Sequence, residues 1–194
     1  MPVEPPPKFA PRAFTAPGVA MNTARLTLVV LAALCCVAQT SQPDALKARI
    51  KKDVEDLNNA IIKEDFAKVA DLTLPNIILL AGGRDKMIAT MTAGNAKFKA
   101  DGIVFSAMTV HDPEDPVAVL DERYVVVTYQ LEMKAPGLTM SQPTFVIGFS
   151  DDQGKSWHYV NGDVKLENLK KILPHLPDTL KLPEHKEPTV KKDQ

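Results

Sequence analysis

No cysteine follows Cys36 in this chain of 194 residues. The sequence after that point therefore forms no disulfide, holds no cysteine-ligated zinc and offers no thiol nucleophile. The four histidines form no His-x-His or His-Glu-x-x-His pair, so neither a metal site nor a cofactor is predicted. Two acids, Asp112 and Asp115, lie close to His111, but prolines at 113 and 116 favour a rigid acidic turn over a cation site.

An excess of charge is absent as well. Lysine and arginine total 23 against 24 aspartate and glutamate, which gives a net charge of −1. A nucleic-acid partner is not predicted, because such proteins carry a marked basic surface. The sequence also has no Gly-x-Ser-x-Gly motif and no phosphate-binding loop, which disfavours hydrolase and nucleotide-dependent chemistry.

The chain has few long apolar runs. The apolar run over residues 26–38 is shorter than the ~20 residues that a membrane-spanning helix needs. It follows Met21 and Arg25, and a basic start, a short apolar core and a small residue at Ala38 predict a secretory signal peptide over 21–38. We therefore expect a secreted or periplasmic protein that meets the membrane only through its signal segment.

The predicted signal segment separates a short N-terminal stretch from the remainder of the chain. Residues 1–20 are rich in proline without apolar periodicity, so we expect them to be disordered or to precede the true start at Met21. Lipid attachment at Cys35 or Cys36 is the less favoured alternative to cleavage, because neither cysteine follows Gly, Ala or Ser. Beyond the signal we expect a domain over 43–173 and a proline-rich tail over 174–194 that packs over the domain.

Helical periodicity opens the domain. Apolar residues recur at spacings of three and four, which predicts a helix of about five turns with one buried face; they are Leu46, Ile50, Val54, Leu57 and Ile61. A second helix is expected from Asp65, and the short apolar run 76–81 is interpreted as a strand. A third helix is expected from Arg84, with Met87, Ile88, Met91 and Phe98 as its buried stripe.

The period then changes from 3.6 to 2. Strands are predicted over 103–111, 144–150 and 156–161, while 117–120 and 123–134 form either a strand pair or one bent strand. Apolar and polar residues alternate along 123–134, which suits an antiparallel sheet with one covered side. With a last short helix near Leu166–Leu173, the order predicts an α+β fold in which N-terminal helices pack on a curved antiparallel sheet.

Residues Ser150 to Trp157 match the Asp-box pattern S-x-D-x-G-x-S-W. Such a box stabilises the turn of a β-hairpin. The aspartate accepts hydrogen bonds from backbone N–H groups, the glycine takes a positive φ and the tryptophan packs beneath the loop. A single copy cannot build a propeller. We therefore predict a structural hairpin between the two flanking strands.

The element order resembles the nuclear-transport-factor-2-like superfamily, also called SnoaL-like or cystatin-like. Lys63-Glu64-Asp65-Phe66 is similar to its acid-then-aromatic helical turn, and Trp157-His158-Tyr159 to the pattern of its last strand. The resemblance implies a cone-shaped fold with a cavity between sheet and helices. It implies no single function, because the same fold hosts enzymes, carriers and scaffolds.

The implied cavity carries the functional hypotheses. We expect a non-catalytic module that binds a small apolar ligand or a protein partner, with eight candidate cavity residues: Met87, Met91, Tyr129, Met133, Phe145, Phe149, Trp157 and Tyr159. A homodimer through the sheet is a further hypothesis, which exposed Val126 and Val146 would support. Simple core packing of the same residues is the competing interpretation.

The alternative is an isomerase-like or dehydratase-like enzyme in the same cavity. Its acid–base groups would come from Tyr129, Tyr159, His158 or Asp163. The ketosteroid isomerases of the resembled superfamily place a tyrosine on the first helix and an aspartate base on an early strand. Neither residue type occupies those positions here, which disfavours isomerase chemistry.

Overall fold

The computed structural model describes residues 42–193. The segments predicted as a disordered start and as a signal peptide, with Cys35 and Cys36, lie outside the described residues. The chain divides into two units, Met1–Ala38 and Gln39–Gln194, and all the described residues belong to the second. Those residues form five helices and an open sheet of six strands, which confirms the α+β fold with helices packed on an antiparallel sheet.

The first two helices follow the sequence pattern closely. Helix α1 spans Gln42–Ile62 and buries Ile50, Val54 and Leu57 against the sheet, as its apolar spacing predicts. Helix α2 spans Phe66–Leu72. Asp65 is its N-cap, and the Asp65 side chain accepts a hydrogen bond from the Lys68 backbone N–H at 3.1 Å.

The strand prediction over 76–81 is wrong, because this run forms helix α3, Pro75–Leu80. Proline at the first helical position presets the helical φ and lacks only an N–H that would be unpaired anyway. The chain contacts β5 just before this run, where the Leu74 N–H donates to the Tyr159 carbonyl at 3.0 Å. The apolar run then forms a helix, and Leu79 and Leu80 stay about three-quarters exposed.

Helix α4, Arg84–Ala100, lies where the sequence predicts the third helix, but its expected buried stripe is wrong. No residue of α4 is buried; Met87, Ile88 and Met91 are half-buried and Phe98 is exposed. The sheet face is already covered by α1 and α2, so α4 packs on α2 and α3 as an outer layer. Phe98 contacts the ring of Phe105 edge-on, with ring centroids 6.0 Å apart.

The strands form one antiparallel sheet in the order β1-β3-β4-β5, with β2 beside β3 and β6 beside β4. Their bounds are Val104–Val110 for β1, Val117–Val119 for β2, Glu122–Ala135 for β3, Leu138–Ser150 for β4, His158–Asn161 for β5 and Thr189–Lys192 for β6. Of the two arrangements left open for 117–134, the strand pair is the one that forms, because β2 and β3 meet through a tight turn at Leu120, φ 55°.

Both faces of the sheet are covered, so the expectation of one covered side is wrong. The helix-side core packs beneath α1 and α2, and its members on the sheet include Val125, Val127, Tyr129 and Val146. The tail-side core lies on the opposite face, where Tyr124, Val126, Phe145 and Ile147 meet helix α5, Leu166–Ile172, and the leucines at 176 and 180. The C-terminal tail supplies the apolar surface that alternation within β3 alone does not reveal.

The acidic turn between β1 and β2 is tied to α1. Asp112 forms an ion pair with Lys51, and Asp115 with Lys47, each at 2.7 Å. Both aspartates of the turn are thus engaged by lysines of α1. Surface pairs of this kind contribute little stability each.

Candidate functional site

A cavity of about 340 Å³ lies between the first helices and the sheet. Its volume falls within the range of ~300–1,000 Å³ that is usual for small-molecule sites. Most of its wall is aliphatic, contributed by Leu57, Ile61, Val69, Ile77, Met87, Val146, Val160 and Val164. The polar residues of the wall are Asn58, Thr73, Tyr129, Tyr159 and Asn161, and no charged residue is among the lining residues of the described chain.

The structure brings some of the eight candidate residues to this cavity and separates others from it. Met87, Tyr129 and Tyr159 line it, while Met91 and Trp157 pack in the adjoining helix-side core. The remaining three lie elsewhere: Phe145 and Phe149 belong to the tail-side core, and Met133 pairs with Met140 near the turn of the long β3–β4 hairpin. Period-2 alternation explains the position of Phe145 and Phe149, because neighbouring strand residues point to opposite faces. Met133 shares the face of Tyr129 but lies four residues further along β3.

Tyr159 directs its hydroxyl away from the middle of the cavity. The hydroxyl donates to an Asp53 carboxylate oxygen at 3.4 Å and lies 3.5 Å from the Ile50 carbonyl oxygen. Asp53 precedes the lining residue Asn58 by five positions, or about 7.5 Å along the axis of α1. Burial, reinforced by the nearby Asp53 carboxylate, raises the pKa of Tyr159 well above its ordinary value.

Tyr129 is held in a polar chain at the sheet. Its hydroxyl is hydrogen-bonded to Thr144, whose own hydroxyl donates to the Asp163 carboxylate. Burial raises the pKa of Tyr129, so the phenol stays neutral to a higher pH than a free tyrosine does. Asp163 and His158 do not line the cavity. Of the four acid–base candidates the cavity therefore brings together only the two tyrosines, both as neutral phenols.

Three polar residues of the wall, Asn58, Thr73 and Asn161, were not predicted from the sequence, and Asn58 is the most deeply buried of them. It follows Val54 by four residues and precedes Ile61 by three, so it lies on the buried stripe of α1. Its side chain is 2% exposed, and neither Oδ1 nor Nδ2 has a hydrogen-bond partner among the described residues. A polar residue at helical spacing within an apolar stripe was the signal that could have identified it.

The Asp-box prediction is confirmed as a structural hairpin. Asp152 accepts hydrogen bonds from the backbone N–H groups of Lys155 and Ser156, each at 2.9 Å. Gly154 takes φ 90°, Trp157 is buried beneath the loop, and β4 pairs with β5 on either side. These bonds, the one from Ser156 foremost, lower the pKa of the Asp152 carboxyl well below its ordinary value. None of the box residues lines the cavity.

Within residues 42–193 no group of three His, Cys, Asp or Glu side chains is placed to hold a metal ion. Over the same range no helix has both the length and the apolar character required to span a bilayer. No protein-family model matches the chain, and a search of curated proteins finds no significant match.

Proposed function

We propose that this chain is a non-catalytic binding protein for a small, neutral and mostly apolar ligand. The observation that carries the proposal is the cavity beside α1, which combines an aliphatic wall with isolated polar groups and no charged lining residue. A charged ligand would lose its hydration there without gaining a counter-charge. An apolar ligand would gain contact with wall residues such as Leu57, Val69 and Val146.

Acid–base catalysis has weaker support. The phenols of Tyr129 and Tyr159 have raised pKa values, whereas a general base works best with a pKa near the operating pH. The Tyr159 hydroxyl donates to Asp53, which does not line the cavity, so this phenol is already engaged outside the space that a substrate would occupy. The binding function accounts for the wall without requiring a reaction.

We also propose that the fold belongs to the nuclear-transport-factor-2-like superfamily and that the protein is exported. Helices on one face of an antiparallel sheet, with a cavity between them, are compatible with that superfamily. Export rests on the signal-like segment at 21–38. The homodimer hypothesis does not gain the support sought for it, because Val126 and Val146 are both buried within the chain.

The binding function can be tested with simple neutral probes. Naphthalene and 1-octanol would be titrated against the full chain, with binding detected by saturation-transfer NMR. Ile61→Trp places a large ring in the cavity from α1 and is expected to abolish the signal. Leu166→Trp adds the same ring at a half-exposed site on α5 that does not line the cavity, and is expected to preserve the signal.

Two results would contradict the proposal. If neither probe binds the unaltered protein at millimolar concentration, the cavity is not a general apolar site. If Ile61→Trp and Leu166→Trp weaken binding equally, the probes bind elsewhere on the molecule. The folding of both variants would be checked by thermal denaturation.

A further inference from the structure

Asn58 differs from the other polar groups of the cavity wall in lacking partners. Thr73 donates its hydroxyl to the Val69 carbonyl at 2.7 Å, and Asn161 accepts from the Asp163 backbone N–H at 3.0 Å. The two tyrosines are hydrogen-bonded as described above. Both ends of the Asn58 amide, by contrast, are buried and have no partner within the described chain.

A buried amide without partners is unfavourable for the fold. Removing a polar group from water without replacing its hydrogen bonds destabilises the folded state, and nearly all buried polar side chains are bonded. Val54 and Ile61, four residues before and three after on the same face of α1, are aliphatic, so Asn58 interrupts an otherwise apolar stripe. A polar residue held there therefore points to a bonding partner that enters the cavity.

The chemistry of the amide defines that partner. A planar carboxamide presents one acceptor and one donor side by side, and its complement is a planar group carrying a donor beside an acceptor. Esters and ethers supply acceptors alone, and a carboxylate would bring a charge that no lining residue neutralises. We propose that Asn58 binds a carboxamide group of the ligand through a pair of hydrogen bonds. This inference rests on the proposed ligand-binding function and adds the class of ligand.

The experiment compares octanamide with methyl octanoate, which has the same acyl chain but no donor. Isothermal titration calorimetry on the full chain is expected to give about tenfold tighter binding of octanamide, because the ester can accept from Asn58 Nδ2 but supplies no donor to Oδ1. Asn58→Leu is expected to bind both compounds equally. Asn59→Leu, one residue along α1 and exposed, is expected to keep the preference.

A second measurement does not depend on whether the leucine variant folds. The side-chain ¹⁵N–¹H₂ signals of Asn58 in the unaltered protein are expected to shift when octanamide binds and to shift much less with methyl octanoate. Equal affinities for the two compounds would overturn the inference, and so would an Asn58→Leu variant that retained the preference.

These outcomes are distinct from failure of the proposed function. If naphthalene and 1-octanol bind but octanamide shows no advantage, the apolar cavity is functional and the assignment of Asn58 is wrong. If none of the four compounds binds, the ligand-binding function fails and the inference fails with it.

Discussion

Gly162 packs directly against the ring of Phe145, so closely that a Cβ at position 162 would overlap the ring atoms. The contact joins the end of β5 to the tail-side core, and the Gly162 N–H also donates to the Phe145 carbonyl at 2.9 Å. A side chain at 162 would have to displace a buried aromatic residue, because both backbones are held by this bond.

Gly162→Ala is therefore expected to lower the free energy of unfolding by about 1–3 kcal/mol, as overpacking of a core does. Gly94→Ala is the matched control, since a Cβ at that position of α4 meets nothing within 4 Å. In a helix interior this change is expected to stabilise by about 0.5–1 kcal/mol. Urea unfolding of the two variants would measure both effects, and changes of the same sign would contradict the packing argument.

Asp152→Asn is expected to destabilise the protein in a pH-dependent manner. The hydrogen bonds from Ser156 and Lys155 hold the pKa of the folded Asp152 carboxyl below its unfolded value of about 4. Its contribution to stability is therefore complete above pH ~4 and is lost as the pH falls toward the lower, folded pKa. The difference in melting temperature between the unaltered protein and Asp152→Asn should shrink from pH 7 to pH 2.

The neighbouring exposed residue provides the control for this prediction. Asp151→Asn removes the same charge one position away, outside the set of carboxylate bonds made by Asp152. It is expected to change the melting temperature little at any pH. A constant difference between unaltered protein and Asp152→Asn over the whole pH range would show that the carboxylate charge is not what the loop requires.

Tyrosine ionisation should be suppressed throughout the folded protein. The chain has three tyrosines, and burial raises the pKa of each of them: Tyr124, Tyr129 and Tyr159. Because the folded pKa values lie above the unfolded value of about 10, this stabilisation is complete below pH ~10 and is lost at higher pH. Absorbance at 295 nm should not rise near pH 10 until the fold is lost.

The urea-unfolded chain is the reference for this titration, and all three phenols are expected to ionise there near pH 10. Circular dichroism recorded alongside would identify the pH at which the native structure melts. A tyrosine that ionises near pH 10 while the circular dichroism remains native would contradict the burial described for these side chains.

The C-terminal tail is expected to be part of the stable core. Leu180 is buried in the tail-side core, while Val190 on β6 is about half exposed. Leu180→Ala is expected to cost about 2–5 kcal/mol, the range for truncating a buried leucine. Val190→Ala is expected to change stability by less than ~0.5 kcal/mol. Guanidinium unfolding would measure both; a negligible effect of Leu180→Ala would mean that the tail does not cover the sheet.

Elements with strong local signals were predicted correctly from the sequence. The spacing from Leu46 to Ile61 predicted α1, and alternation predicted β3 and the strands around it. The Asp box predicted the β4–β5 hairpin, because its bonds are made within eight residues of chain. In each case the forces that decide the structure act between residues close in sequence.

Errors arose where a distant segment decided the outcome. The run over 76–81 leaves the sheet after the contact of Leu74 with Tyr159 and forms α3, which begins at Pro75. The stripe of α4 remained half-buried because α1 and α2 cover the sheet before it. Phe145 and Phe149 were assigned to the cavity although the tail-side core holds them.

The sequence by itself determined the α+β class, the first helix, the strand periodicity and the Asp-box hairpin. Tertiary structure alone decided which face each strand residue joins, how the tail completes the second core, and that Asn58 is buried at a cavity without partners. The physical reason is the range of the interactions. Periodicity and turn chemistry depend on residues close in sequence. Burial and the pairing of hydrogen-bonding groups depend on which distant segments of the chain pack together.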